Sequence, residues 1–196
     1  MIVAELFALQ HEGTNPQQLT LSICIASLHS RIEMLTKLLL HLGKQANTEV
    51  EILVEVDNGE MTTGAKRNKL YHQAKGKYVV SVDDDDWVPG YYVSEILKAV
   101  ESDPDAVATN GTMTTDGGNP ETWEISRLNP YITTRRGGKV HYLRFMNHIS
   151  PIRRSIAIKY PFPDQSFGED YAFALAMHVN RAIKTEAKID KPMYEY

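Results

Sequence analysis

The chain has 196 residues, 42% hydrophobic and 23% charged, a balance typical of soluble globular domains and unlike that of disordered chains. Lys and Arg number 21 against 25 Asp and Glu, giving a net charge of −4, which argues against holding nucleic acid by bulk charge. Cys24 is the single cysteine, so no internal disulfide can form, as expected in a reducing compartment, and this length predicts one domain.

Residues 1–13 have no basic stretch and carry Glu5 inside their apolar run, so no signal peptide is expected. No run approaches the roughly 18 apolar residues of a membrane span. Leu19, Leu21, Ile23 and Ile25 alternate with smaller residues and predict a first strand. Ser30 and Glu33 stand at capping-box spacing. Leu35, Leu38, Leu39 and Leu42 then recur at helical intervals up to Gly43. Residues 50–56 predict a second strand that ends in the turn Asp57-Asn58-Gly59. A helix over about 63–75 closes at Gly76. A third strand, 78–82, runs into Asp83, Asp84, Asp85 and Asp86. A helix over about 90–101 and a fourth strand at 106–109 follow.

This alternation predicts a parallel, doubly wound α/β sheet. Ligands of such sheets sit outside the carboxyl ends of the strands, where Asp57 and Asp83 fall. Residues 111–145 are rich in Thr, Gly, Asn and Pro and read as hairpins and loops, with strand-like pieces at 122–126 and 139–143. Beyond them, 155–158 reads as a strand, 170–180 as a helix and 183–189 as a last strand before the aromatic ending Tyr194-Glu195-Tyr196.

Four adjacent carboxylates repel one another unless a cation screens them, and Mg²⁺ or Mn²⁺ takes such oxygen ligands. If strand conformation persists, Asp83 and Asp85 point one way and Asp84 and Asp86 the other. The plainer reading is acids placed before a helix for its dipole. Lys66, Arg67 and Asn68, at a helix start, suit an anion such as a diphosphate, or form a solvated basic face. Glu169 and Asp170 either cap a helix or supply a general base. Residues 135–159 hold seven Lys and Arg and no acid, which leaves −11 on the rest of the chain. Such segregation attracts anions, or it is an exposed hairpin face. His148 lies inside this block as a structural histidine or a ligand contact.

At these residues the sequence resembles the GT-A glycosyltransferases, family 2-like enzymes in particular, over about residues 20–190. The most specific stretch is 64–89, where an Arg-Asn helix, an A-x-G turn and a strand lead into a D-x-D metal motif. D-x-D falls best on Asp83 and Asp85, with Asp84 and Asp86 as the offset register. The resemblance implies a Rossmann-like, mostly parallel sheet flanked by helices, in one catalytic domain over 1–196. Residues 19–110 would form the nucleotide-binding half, and 111–196 the acceptor-binding half with the catalytic base.

Residue by residue, it implies that Ala26 and Ser27 edge the nucleotide pocket, Asp57 contacts the base and Arg67 lies near the nucleotide. Asp83 and Asp84 would contact the donor, and Arg153 and Arg154 its diphosphate. Asp83, Asp85 and His148 would hold the metal, with His178 a further candidate for the third ligand. Asp170 is expected as the base of an inverting transfer, and Glu169 as an aid to acceptor orientation. One departure is the turn D-N-G-E-M-T-T-G, where the family commonly has D-D-G-S-T-D.

The segments N-H-I-S-P-I-R-R and M-Y-E-Y are similar to small glycosyltransferases of phages and bacteria, which implies a cytoplasmic location, in the host if phage-encoded. The expected activity moves a sugar from a nucleoside-diphosphate sugar, a UDP-sugar first of all, to a hydroxyl of a glycan or a modified DNA base. Mn²⁺ or Mg²⁺ is the expected cofactor. Two rival readings are a haloacid-dehalogenase-like phosphatase, although Trp87 stands where that motif has Thr or Val, and a nucleotide-sugar-binding protein without turnover.

Overall fold

A computed structural model describes residues 19–114 and 118–196; the signal-peptide reading of 1–13 lies outside the described residues. Strand β1, Leu21–Leu28, runs between two parallel partners, β2 (Val50–Asp57) and β3 (Tyr78–Ser81). The alternation of large and small residues in β1 does not mark one solvated face: Ser22, Cys24 and Ser27 are buried along with Leu21, Ile23 and Ile25, as in a central strand covered on both sides. Helix α1, Ile32–Gly43, buries Leu35, Leu38, Leu39 and Leu42, each of which stabilises the fold by roughly 1.5–3 kcal/mol. The capping box is not formed. Ser30 belongs to a short 3₁₀ turn, His29–Arg31, and no side chain caps α1.

Helix α2 is Thr63–Gln73, and Thr62 Oγ caps it by accepting from the Ala65 N–H at 3.1 Å. It ends before Gly76, which serves another purpose. A Cβ on Gly76 would lie 2.6 Å from the backbone nitrogen of Ser22, so only glycine lets this turn cross β1. Helix α3, Tyr92–Val100, leads to β4, Ala106–Met113. Then come β5 (Glu121–Ile125), β6 (Ile132–Arg136), β7 (Lys139–Arg144) and β8 (Ile152–Arg153). Residues 155–158 are not a strand: α4, Arg154–Ala157, is a helical turn directly after β8. Helix α5, Glu169–Val179, and strands β9, Glu186–Lys188, and β10, Tyr194–Glu195, complete the chain.

The result is a mixed α/β fold with a mostly parallel central sheet flanked by helices. Its strand order is β2-β1-β3-β8-β4-β5-β7-β6. β9 and β10 both pair parallel with β4, at opposite ends of it. β8 is antiparallel to β3 and β4 and sits between them, so a piece from late in the chain completes the centre of the sheet. Of the aromatic ending, Tyr194 is core, buried beside Trp123, while Tyr196 is exposed. No helix among the described residues is long and apolar enough to cross a membrane.

The start of α2 is clamped to the loop before α5. The Gly64 N–H donates to Gln165 O at 3.0 Å, and Thr62 Oγ donates to Asp164 at 2.6 Å. Asn68 exchanges two bonds with the backbone of Phe162, at 2.8 and 2.9 Å. A Cβ on Gly64 would meet Pro163 O at 2.0 Å. Gly64→Ala is therefore expected to destabilise the fold by about 1–3 kcal/mol, as overpacking does, read as a fall in the thermal midpoint. An unchanged midpoint would show that the clamp is loose.

Candidate active site

The carboxyl ends of β1, β2 and β3 open into one cleft of about 520 Å³, lined among others by Ala26, Ser27, Lys66, Asp83, Asp84 and Asp85. Lys66, at the start of α2, is buried and reaches across two strand ends. Its Nζ donates to Ser27 O at 2.7 Å and pairs with Asp57. Asp57 also accepts from the N–H groups of Gly59 (3.0 Å) and Met61 (2.7 Å). Burial raises the Asp57 pKa, but the Lys66 contact and these two donors outweigh it and hold it at about 2.

The next residue, Arg67, faces the other way. It bonds Asp83 at 2.7 Å and Glu169 at 2.6 Å, all but buried. Burial works against the Arg67 charge, yet the two carboxylates keep its pKa above the usual guanidinium range. Its Nε has no acceptor. Burial raises the pKa of Asp83, while Arg67 and His148 pull it well below the usual carboxylate range. Lys66 and Arg67 are thus neutralised by the protein's own acids, and neither is a free counter-charge for a diphosphate.

The four aspartates do not alternate. They form a turn, with the Asp86 N–H donating to Asp83 O at 3.2 Å, and each carboxylate has its own surroundings. Asp83 meets Arg67 and, at 3.4 Å, Nε2 of His148. Asp84 is buried against the Ser27 hydroxyl and accepts from Arg31 at 2.9 Å. Asp85 is exposed and also pairs with Arg31. Asp86 lies toward Tyr194, where burial and the neighbouring Asp83 and Asp85 push its carboxyl up to about 7 against a bond from the Tyr194 hydroxyl.

Asp83, Asp85 and His148 therefore do not form a ready three-ligand metal site. Asp85 turns to Arg31, and among the described residues no group of three or more His, Cys, Asp or Glu side chains is arranged to hold a metal. His178 stacks on Phe145 near the end of α5, with ring centroids 3.8 Å apart, and lines neither this cleft nor the next. The donors that do face the cleft are carboxylate oxygens, which suit a hard divalent cation in kind. The exposed Asp85, with Asp83, is the pair that could share such an ion.

Arg153 and Arg154 are corrected outright. Both lie toward the amino end of β3, since Arg153 pairs in register with Tyr78. Arg153 bonds the carbonyls of Asp103 and Pro104 and the Asp103 carboxylate at 2.7–2.9 Å. Arg154 bonds Tyr71 O and His72 O at the end of α2. Their partners are helix and loop ends that need a cation, not the ligand cleft. No pattern in the residues marks Arg31, which holds Asp84 and Asp85; only a fold that brings the 3₁₀ turn after β1 over the turn after β3 exposes that role.

Glu169 and Asp170 open α5 after Gly168, whose φ of +74° is the left-handed conformation that glycine accepts without strain. Glu169 is buried on Arg67 and lines the strand-end cleft. Asp170 lines a second, neighbouring cleft of about 210 Å³ with Tyr131, Tyr142, Arg144, Asn147 and Tyr196. Arg144 lies over the rings of both Tyr131 and Tyr142, 4.3 and 4.7 Å from their centroids. Burial and then Asp83, Asp86 and Asp170 push the Tyr196 phenol up, so this side chain feels the acids of both clefts.

With this geometry in view, the comparisons are direct. The model of glycosyl transferase family 2 matches residues 53–160, from within β2 to just past α4. The chain belongs to this family and has the GT-A fold of a glycosyltransferase. Among solved structures, TarS of S. aureus, residues 1–349 in complex with UDP, superposes with a TM-score of 0.66 at 18% identity, over 91% of this chain and 60% of that one. The same TarS piece with UDP-GlcNAc gives 0.66 at 19% identity over 91% and 58%. The crystal structure of S. aureus TarS superposes with a TM-score of 0.68 at 19% identity, over 90% of this chain and 36% of that one. The chain thus spans about 60% of the length of the TarS 1–349 chain. No curated protein sequence matches it.

The Asp57 pKa of about 2 makes the Lys66 contact measurable. A carboxylate whose folded pKa lies below its ordinary value stabilises the fold above that value, and the contribution fades as pH falls through the folded pKa. Lys66→Met should lower the thermal midpoint near neutral pH, and the gap to the parent should close as pH falls from about 4 toward 2. A gap independent of pH would show that Lys66 acts through packing alone.

Proposed function

We propose that the chain transfers a sugar from a nucleoside-diphosphate sugar, first of all a UDP-sugar, to an acceptor hydroxyl with inversion. Family membership sets aside the phosphatase reading, and the carboxylate that the phosphatase would use as nucleophile, Asp83, is tied to Arg67 and His148. The observation that carries the proposal is the placement of two adjoining clefts. One holds the strand-end acids, and the other is flanked by Asp170 at the start of α5. The UDP and UDP-GlcNAc in the TarS complexes support a nucleotide-sugar donor.

In this reading the donor lies in the strand-end cleft, over Ala26 and Ser27, beside the turn that Asp57 holds through Gly59 and Met61. Lys66 and Arg67 keep the strand ends and α5 in register rather than contacting phosphate. Asp85 and Asp83 would hold a divalent ion, which supplies positive charge for the departing diphosphate. The acceptor lies in the second cleft, against Tyr131, Tyr142 and Tyr196. Asp170 takes the hydroxyl proton as the oxygen bonds to the anomeric carbon. The bond to the diphosphate breaks, and the nucleoside diphosphate leaves with its electron pair. Attack from the face opposite the leaving group inverts the anomeric centre. Glu169 acts through Arg67, fixing the turn from which Asp170 projects. A glycan acceptor suits the aromatic walls, and a modified DNA base is the alternative acceptor.

Asp170→Asn should lower turnover by about 10²-fold or more, the usual worth of a general base, while donor affinity stays near the parent's. Nucleoside diphosphate release measured across candidate sugars, beside calorimetric donor binding, tests both halves. Full turnover in the variant would sink the base assignment, and lost donor binding would move Asp170 into the donor cleft. Treatment with EDTA should abolish turnover, and added Mn²⁺ or Mg²⁺ should restore it. Activity that survives EDTA would remove the metal and leave Arg31 as the cation of the aspartate turn. Binding of UDP-sugars without release of UDP under any condition would favour the reading without turnover.

A further inference from the structure

A third cavity, about 330 Å³, opens beside the carboxyl end of α5 and shares no lining residue with the two clefts. Met146, Ala174, Met177 and Ile183 line it as buried apolar residues. Arg127, His178, Arg181 and Lys184 complete the lining. Three positive side chains therefore edge a cavity with an apolar wall, Arg127 partly buried and Arg181 and Lys184 exposed.

The acids nearby are already committed to the backbone. Glu186 accepts from the Ser126 hydroxyl at 2.7 Å and the Arg127 backbone N–H at 2.8 Å. Asp105 accepts from the backbone N–H groups of Lys184 and Thr185 at 2.8 and 3.1 Å. Arg127 Nε is buried and has no acceptor. A desolvated donor without an acceptor is unfavourable, and an oxyanion resolves it with paired, charge-assisted bonds. The carbonyls at the end of a helix repel an anion, so the side chains must supply the contact. The two methionines give the apolar wall an adaptable surface.

We propose that this cavity binds a small amphipathic organophosphate, a phosphate monoester on a short apolar stem. A monoester carries about −1.5 to −2 charges near neutral pH, which matches several cations better than a carboxylate does. The stem would lie on Met146, Met177 and Ile183, with the phosphate toward Arg127, Arg181 and Lys184. The site lies roughly 12 Å along α5 from Asp170, and the inference does not depend on the transfer reaction.

Calorimetry on the full chain with hexyl phosphate, inorganic phosphate and hexanol tests this. Hexyl phosphate should bind, and the other two should bind at least tenfold more weakly. Arg127→Gln and Arg181→Gln should each weaken hexyl phosphate about tenfold or more, the worth of a charge-assisted bond. Lys184→Gln, at an exposed side chain, should weaken it too and guards against misfolding of the arginine variants, with circular dichroism as the check. Unchanged binding in all three variants would place the ligand elsewhere and overturn the proposal. Hexanol binding as well as hexyl phosphate would overturn the anion site, and inorganic phosphate matching hexyl phosphate would overturn the apolar stem.

Discussion

The guanidinium of Arg67 is where the two halves of this molecule are joined. It carries one bond to Asp83 at the end of β3 and one to Glu169 at the start of α5, and both its carboxylate partners and its own side chain are largely withdrawn from water. Taking three charges out of water costs several kcal/mol per ion, and removing one partner of such a buried pair destabilises by about 3–5 kcal/mol. The structure keeps the arrangement although an apolar contact would stabilise equally well. What the ions add is direction. Phe162 beneath Arg67 and the Asn68 clamp on the Phe162 backbone leave one position in which α5 can begin. The residue after Glu169 is Asp170, so the distance between strand-end acids and the second cleft is set by this bridge.

The same logic runs through the other strand ends. Lys66 ties β1 to β2, and Arg31 ties the 3₁₀ turn after β1 to the aspartate turn. Every cation near the acids is bound to a carboxylate from a different element. The acidic cluster is consequently not a bare field waiting for a counter-ion. A divalent ion of the kind proposed would have to displace or share Asp85 with Arg31, whereas Asp84, which also lines the cleft, is held by both Ser27 and Arg31. The four identical letters could not carry that asymmetry between Asp84 and Asp85.

How much could be read from the sequence follows from which interactions are local. The alternation over 19–25, the leucine spacing of α1 and the apolar runs before Asp57 and Asp83 reflect burial within single elements, and these elements stand where expected. The acids at strand ends were also readable, since a parallel sheet presents those ends together. The failures share a different cause. Ser30 and Glu33 match a capping pattern, but the 3₁₀ turn shifts the helix start past them. Residues 155–158 are apolar enough for a strand, but β8 pairs with β3 and β4 through Ile152 and Arg153 alone, and the chain turns into α4 at Arg154. Arg153 and Arg154 belonged to a basic block along the chain, yet they are bound at the end of the sheet away from the acids. A charge count in sequence does not see which end of a sheet a residue reaches.

The second half of the chain shows how a small fold can build a wall for a second ligand. After β4 the sheet turns from parallel to largely antiparallel, and β5, β7 and β6 extend it beyond the last helix-covered strand. Extension alone would leave β4 open beside the acids. β10 closes that side by pairing parallel with Gly111 and Thr112, and a Cβ on Gly111 would lie 2.1 Å from Tyr194 O. This close approach lets the Tyr194 hydroxyl accept from the Asp83 backbone N–H at 2.9 Å while Trp123 packs behind it. It also brings Tyr196 beside Asp170. The side of the second cleft facing the acids is therefore made by the last strand, and its aromatic character is a consequence of that strand packing on Trp123. In the proposed reaction, a hydroxyl entering between Tyr131 and Tyr196 would meet Asp170, which lines the same cleft, with the cleft of the strand-end acids adjoining it.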